Sequence, residues 1–276
     1  MIDILLSTYN GEKYLAEQLD SLFRQSFQDF RVIVRDDCSS DNTVSILRHY
    51  SVIYPDKIEI IYGDKNIGYI KSFEYLLSIS TADYAMFCDQ DDIWLPDKIE
   101  ASFDKLLEYE KKYGRNTPIL IHTDLTVTDE NLNSIHSSFI AYSGFNVTLL
   151  ESDIRFLGLC NTVTGCTALF NRALINQALP FHPGLYHDAW MAVCAKKYGC
   201  LAFLPRQTIL YRQHGDNALG ALDGRFSLKN KLLSLRSTVG RMADIYRAMH
   251  GIVYKNPFHF IYFKTIYTVR YRMFKQ

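Results

Sequence analysis

Residues 84–96 read Tyr84-Ala85-Met86-Phe87-Cys88-Asp89-Gln90-Asp91-Asp92-Ile93-Trp94-Leu95-Pro96. An uninterrupted apolar run that ends on acids predicts a strand buried on both faces, as parallel sheets require. The same cycle precedes it. Ile2 to Ser7, Phe30 to Arg35 and Ile58 to Tyr62 read as strands; Leu15, Leu19 and Leu22 recur at helical spacing, and Asp41 to His49 and Ile70 to Ser80 read as helices. After the run, Pro96 to Tyr113 predicts a long helix with proline near its first turn. Strand and helix in strict alternation predict an α/β fold, a Rossmann-like, mostly parallel central sheet with flanking helices.

In such a sheet ligands bind beyond the carboxyl ends of the strands. Those ends read Ser7-Thr8-Tyr9-Asn10-Gly11-Glu12, Asp36-Asp37, Gly63-Asp64 and Asp89-Gln90-Asp91-Asp92. Acids therefore gather at one edge, where like charges repel unless a cation or a donor-rich ligand sits among them. The second half is less regular: Ile119 to Val127 and Thr164 to Phe170 read as strands, Asp188 to Tyr198 as a helix ended by Gly199, and Leu201 to Leu204 and Ile209 to Arg212 as two more strands.

The chain has 276 residues, 48% hydrophobic and 22% charged, enough for one large α/β domain with an appendage or for two small domains. Its zero net charge conceals a split. From residue 225 onward eleven basic side chains face only Asp244, leaving 19 of the 30 basic and 29 of the 30 acidic groups in residues 1–224. A boundary near residue 220 follows from this shift and from Gly220 and Gly224. The six cysteines form no C-x-x-C pair and lie mostly in apolar runs, which suits reduced thiols and a cytoplasmic setting. Met1 to Ser7 is too short for a signal peptide, and no stretch reaches the roughly 18 apolar residues of a spanning helix, so membrane contact is expected to be peripheral.

Two carboxylates one residue apart, Asp89 and Asp91, suit a hard divalent cation that keeps positions open for phosphate oxygens. Asp91 or Asp92 instead serves as a cap for the helix near Pro96 on a second reading, and Asp92 is the better cap of the two. At Asp36-Asp37 a carboxylate suits the imide N–H of a pyrimidine, while a turn-stabilising role for Asp36 stands beside it. His214 suits a metal, a phosphate oxygen or a structural role. Lys71 suits either a phosphate or solvent. The histidines and cysteines show no zinc spacing.

Four ordered runs resemble the signatures of family two inverting glycosyltransferases with the GT-A fold: Ser7 to Glu12, Val32 to Asp41, Asn66-Ile67-Gly68 and Phe87 to Asp92. Thr164-Gly165-Cys166, His187-Asp188-Ala189-Trp190 and Tyr211 to Asn217 resemble the acceptor-side segments, especially of bacterial rhamnosyltransferase-like members. The resemblance covers residues 1 to about 220 and implies a nucleotide-binding half over about 1–115 and an acceptor half over about 116–220. It implies that Thr8, Tyr9 and Glu12 lie by the nucleoside, that Asp37 reads the base, and that Asp89 and Asp91 form the pair that meets the nucleotide and holds Mg²⁺ or Mn²⁺, Asp91 foremost; Lys71 at the nucleotide and His214 at the metal are expected beside them from their own chemistry. Thr164, Gly165, His187 and Trp190 fall on the acceptor side. Asp188 falls where the family keeps its catalytic base, although His187 replaces the usual preceding Glu; an N-cap is its other reading. Gln213-His214 stands where processive synthases carry Gln-x-x-Arg-Trp, which implies one sugar per encounter.

The implied activity is that of a hexosyltransferase. It moves a sugar from a nucleotide diphosphate donor, dTDP-rhamnose or a UDP-hexose, to a saccharide or lipid-linked acceptor in bacterial surface polysaccharide (O-antigen or capsule) synthesis, on the inner face of the membrane. The basic, aromatic tail over 221–276 suits helices lying on an anionic membrane surface. It also suits packing on the domain, and nucleic acid is not expected as a partner. A nucleotidylyltransferase would want a basic glycine-rich loop near the first strand, where Ser7 to Glu12 is acidic. A non-catalytic sugar-nucleotide-binding or membrane scaffold protein would not need Asp37, Asp89, Asp91 and Asp188 together.

Overall fold

A computed structural model of the chain describes residues 1–215, 240 and 242–274. The first half delivers the expected cycle: β1 (Ile2–Thr8), α1 (Leu15–Phe23), β2 (Phe30–Asp36), α2 (Thr43–Ile53), β3 (Ile58–Tyr62), α3 (Tyr69–Ile79) and β4 (Tyr84–Cys88). A two-residue strand, β5 (Ile93–Trp94), then leads into α4 (Lys98–Tyr113). The second half contains β6 (Ile119–Thr128), β7 (Ser134–His136), α5 (Phe139–Tyr142), α6 (Val147–Ser152), α7 (Ile154–Leu157), β8 (Ala168–Asn171), α8 (Arg172–Ala178), α9 (His187–Tyr198) and β9 (Cys200–Arg212). Two C-terminal helices follow, α10 (242–249) and α11 (Pro257–Phe274).

One sheet holds all nine strands in the order β3-β2-β1-β4-β8-β6-β9-β5, with β7 beside β6. β3, β2, β1 and β4 run parallel, as do β6 and β9, whereas β8 is antiparallel to both of its neighbours. The apolar runs are continuous because each strand is covered twice. Ile4, Leu6, Val32, Val34 and Met86 pack with Leu15, Leu19, Leu47 and Leu106 of α1, α2 and α4. The intervening Leu5, Ile33, Ala85 and Phe87 pack with Phe73, Leu76 and Leu77 of α3 and with residues of α8 and α9. Alternation along a strand thus feeds two cores.

Three local expectations change. The two strands expected over 201–212 are one, because the register passes from Thr123–Leu204 to Asp124–Gln207 and leaves Pro205 and Arg206 in a bulge; a proline without an N–H is accommodated there. Asp92 is not a helix cap: Asp97 is the N-cap residue of α4, and the Asp92 carboxylate accepts the Arg212 N–H at 3.2 Å. Residues 139–157, unassigned from sequence, form three short helices whose first turns are capped by Ser138, Asn146 and Asp153.

The boundary expected near residue 220 lies outside the described residues. Beyond it, α10 and α11 pack on the body: Met249, Tyr254, Phe260 and Phe263 are buried against Leu150, Phe156 and Val193. Phe263 meets Phe156 at 5.9 Å between ring centroids. Phe263→Ala should therefore cost about 3 kcal/mol in a denaturant titration. An unchanged midpoint would mean that α11 is not held on the body.

Candidate active site

The loops after β1 and β4 are clasped by one side chain. Gln90 donates from Nε2 to the Tyr9 carbonyl at 3.0 Å, and its Oε1 accepts the Tyr9 N–H at 2.8 Å. A Cβ at Gly11 would fall 2.4 Å from Gln90 Oε1, so this approach requires glycine there. Beside it a cavity of about 310 Å³ is lined by Tyr9, Asp37, Asp89, Asp91, Thr164, Gly165, His187 and Asp188, with Tyr69 and Tyr211. A groove of about 710 Å³ elsewhere is lined by Phe145, Phe203, Pro205 and Tyr271 and carries a single carboxylate, Glu151. The smaller cavity holds the convergent acids and is the candidate site.

Several expected residues lie outside its lining. Thr8 is fully buried and donates to Asp36, which also accepts from Ser39 N–H and Oγ, the turn-stabilising role. Glu12 accepts from Asn42 N and Nδ2 at the start of α2. Lys71 faces outward and pairs with Glu74, which is the solvent reading. Trp190 donates from Nε1 to the Ala178 carbonyl at 2.7 Å. Asp37 does line the cavity, but its carboxylate already accepts from Ile67 N, Gly68 N and Arg35. Much of its hydrogen-bonding capacity therefore holds the 66–68 loop.

The acids after β4 are held from the end of β9. His214 Nε2 lies 2.9 Å from Asp91 Oδ2, and the His214 ring sits 4.7 Å from that of Tyr14. Arg212 is buried; its Nε donates to the Asp91 carbonyl at 2.8 Å and its Nη1 to the Glu130 carbonyl at 2.6 Å. Burial, reinforced by Asp91 and Asp188, pushes the Asp89 carboxyl up to about 7. A cation would reverse that. Asp89, Asp92 and Cys166 bring ligand atoms within 4.8 Å of one another, a juxtaposition that sequence spacing did not show. The carboxylates of Asp89 and Asp92 suit Mg²⁺ or Mn²⁺, whereas the Cys166 thiol, pushed up by burial, does not, and Asp91 is not in this group.

Asp188 lies in the first turn of α9, whose N-cap residue is Tyr186. It is not the cap. Its Oδ1 accepts the Ala189 N–H at 2.6 Å, and burial raises its carboxyl to about 6 against the Ala189 and Gly165 amides. His187 is buried among Phe73, Phe87 and Tyr69, and neither ring nitrogen has a hydrogen-bond partner among the described residues. Burial pulls it down to about 3, so it is neutral and a poor base. A Cβ at Gly165 would fall 2.5 Å from His187 Nε2, which makes that pair a fitted part of the wall. Sequence reasoning gives no role to Gln90, although it sits between the two aspartates, or to Arg212, although it directly precedes Gln213-His214.

A family model for glycosyl transferase family 2 matches residues 3–177, and the chain belongs to that family. It is 30% identical over 248 residues to dTDP-rhamnosyl transferase RfbG of Shigella flexneri, covering 83% of this chain and 78% of that one. It is 26% identical over 178 residues to the putative teichuronic acid biosynthesis glycosyltransferase TuaG of Bacillus subtilis, covering 64% of each. Two solved structures share the GT-A fold. S. aureus TarS in complex with UDP-GlcNAc aligns with a TM-score of 0.60 at 18% identity, over 91% of this chain and 65% of that one. The mannosyltransferase PcManGT of Pyrobaculum calidifontis, in complex with GDP-Man and Mn²⁺, aligns with a TM-score of 0.59 at 17% identity, over 96% and 73%. The chain thus spans slightly less than two thirds of TuaG and TarS. It is a glycosyltransferase.

If Asp188 is the base that the family resemblance implies, its raised carboxyl, near 6, fixes the sign of the pH dependence, because a base acts only when deprotonated. At saturating metal and donor, the transfer rate should rise through about pH 6 and level off above it. A rate independent of pH between about 5 and 8 would remove Asp188 from that role.

Proposed function

We propose that this glycosyltransferase inverts the donor carbon and moves one sugar from dTDP-rhamnose or a UDP-hexose to a saccharide or lipid-linked acceptor in bacterial surface polysaccharide synthesis. The observation that carries the reading is that Asp188, from α9, and Asp89 and Asp91, from the end of β4, line one cavity. They divide two tasks. The acceptor oxygen forms the new bond to the anomeric carbon as the bond to the diphosphate breaks, and Asp188 takes the acceptor proton on the oxygen that Ala189 does not hold. Asp89 and Asp91, with His214 beside Asp91, would hold a divalent cation, which would supply charge for the departing diphosphate. The similarity to RfbG supports rhamnose as the sugar, and the similarity to TuaG supports a cell-surface polymer as the product. Tyr9 and Tyr69, at the cavity wall, suit stacking with the nucleoside.

Asp188→Asn keeps an oxygen to accept the Ala189 N–H but cannot take a proton. It should cut acceptor-dependent transfer by roughly 10² or more while donor binding persists. The melting temperature should be equal or higher, because burial already disfavours the charge at this position. Wild-type transfer in this variant would send the search for the base elsewhere.

The proposed setting is cytoplasmic and peripheral. Among the described residues no helix is long and apolar enough to cross a membrane, and the cysteines are free thiols. While one face of α11 packs on the body, Phe258, Ile261, Tyr262 and Val269 stand exposed on another, with Lys255 and Arg270 nearby. An apolar stripe with basic flanks suits an anionic bilayer surface. The double variant Ile261→Glu, Val269→Glu should stay folded and lose binding to phosphatidylglycerol-containing liposomes at low salt. Unchanged binding would sink this surface assignment.

A further inference from the structure

Lys98, at the start of α4, is fully buried beneath the acidic loop, and its ammonium has no hydrogen-bond partner among the described residues. Its Nζ lies 4.4 Å from the Trp94 ring centroid. The nearby charges and thiols are those of Asp92, Cys88 and Cys166, all buried. Asp92 is also fully buried; one oxygen accepts the Arg212 N–H, and the other has no partner. A buried ammonium is costly, and methionine would fill the same space without that cost. Burial brings Lys98 down to about 8, so the charge is largely retained at neutral pH. Away from solvent, its field on the carboxylates above is little screened by salt.

We propose that Lys98 is a positioning residue of the donor site, acting through Asp92 on the loop that carries Asp89 and Asp91. Its charge opposes the mutual repulsion of the three carboxylates from below. Asp92, held by that charge, anchors the end of β9 through the Arg212 N–H, and Arg212 in turn holds the Asp91 carbonyl. The field of the ammonium and these two hydrogen bonds link the first residue of α4 to the backbone of Asp91. Neither Lys98 nor Asp92 lines the cavity, so the effect is indirect.

This rests on the donor-site reading above, and the test separates the two. Mn²⁺ binding, followed by the electron paramagnetic resonance signal of free Mn²⁺, and steady-state donor kinetics would be measured for wild type, Lys98→Met, Asp92→Asn and the double variant. Wild type without Mn²⁺ binding or turnover would overturn the donor-site reading itself. With an active wild type, Lys98→Met should melt near the wild-type temperature, lose kcat tenfold or more and shift the Mn²⁺ Kd at least threefold. The double variant should lose no more than the worse single variant, because both act along one path. Wild-type kcat and Mn²⁺ Kd in Lys98→Met, or losses that multiply in the double variant, would overturn the proposal. If Lys98→Met does not fold, Lys98→Gln, which keeps a polar stem and loses the charge, decides: it must show the same two losses, and wild-type values in it would overturn the proposal.

Discussion

Four carboxylates, Asp89, Asp91, Asp92 and Asp188, converge around the end of β4, and their mutual repulsion is the constraint that the surrounding structure answers. The last strand of the sheet supplies the answer. β9 ends on Arg212, whose Nε donates to the Asp91 carbonyl and whose N–H is accepted by Asp92, and His214, two residues further on, meets the Asp91 carboxylate. β5, between the acids and α4, pairs with β9 and fixes the distance between loop and strand. The sheet order therefore brings residues more than a hundred positions apart into one electrostatic unit.

The opposite end of the sheet shows what an acid looks like when it is only structural. Asp3, fully buried on β1, is met by Arg31, the Ser80 hydroxyl and the Ala82 N–H. Those donors hold its carboxyl below the usual range despite burial. At the carboxyl edge the direction reverses: Asp89 and Asp188 are raised, because their donors do not outweigh burial and neighbouring charge. Perturbed acids in a cavity mark a site on physical grounds.

Much of this was legible in the sequence because it depends on period and position. Continuous apolar runs revealed doubly covered strands, and the residues after each run named the edge where Asp37, Asp89 and Asp91 now line a cavity. Helical phase was less legible. Lys71 and Phe73 lie two residues apart on α3, yet one pairs with Glu74 at the surface and the other lines the site wall. On α9, apolar residues surround the helix, so nothing in the pattern said that Trp190 turns toward Ala178 while Asp188 turns to the cavity. Gln90 and Arg212 act through long-range contacts that no local period encodes.

The central claim is that the β4 acids hold a cation for a nucleotide diphosphate sugar while a separate carboxylate serves the acceptor. The most direct measurement is the release of nucleoside diphosphate from a panel of sugar nucleotides, with and without a chelator. The account predicts release from a dTDP- or UDP-linked sugar that depends on acceptor, ceases with chelator and returns with Mn²⁺ or Mg²⁺. Release of pyrophosphate instead, or turnover untouched by the chelator, would contradict it.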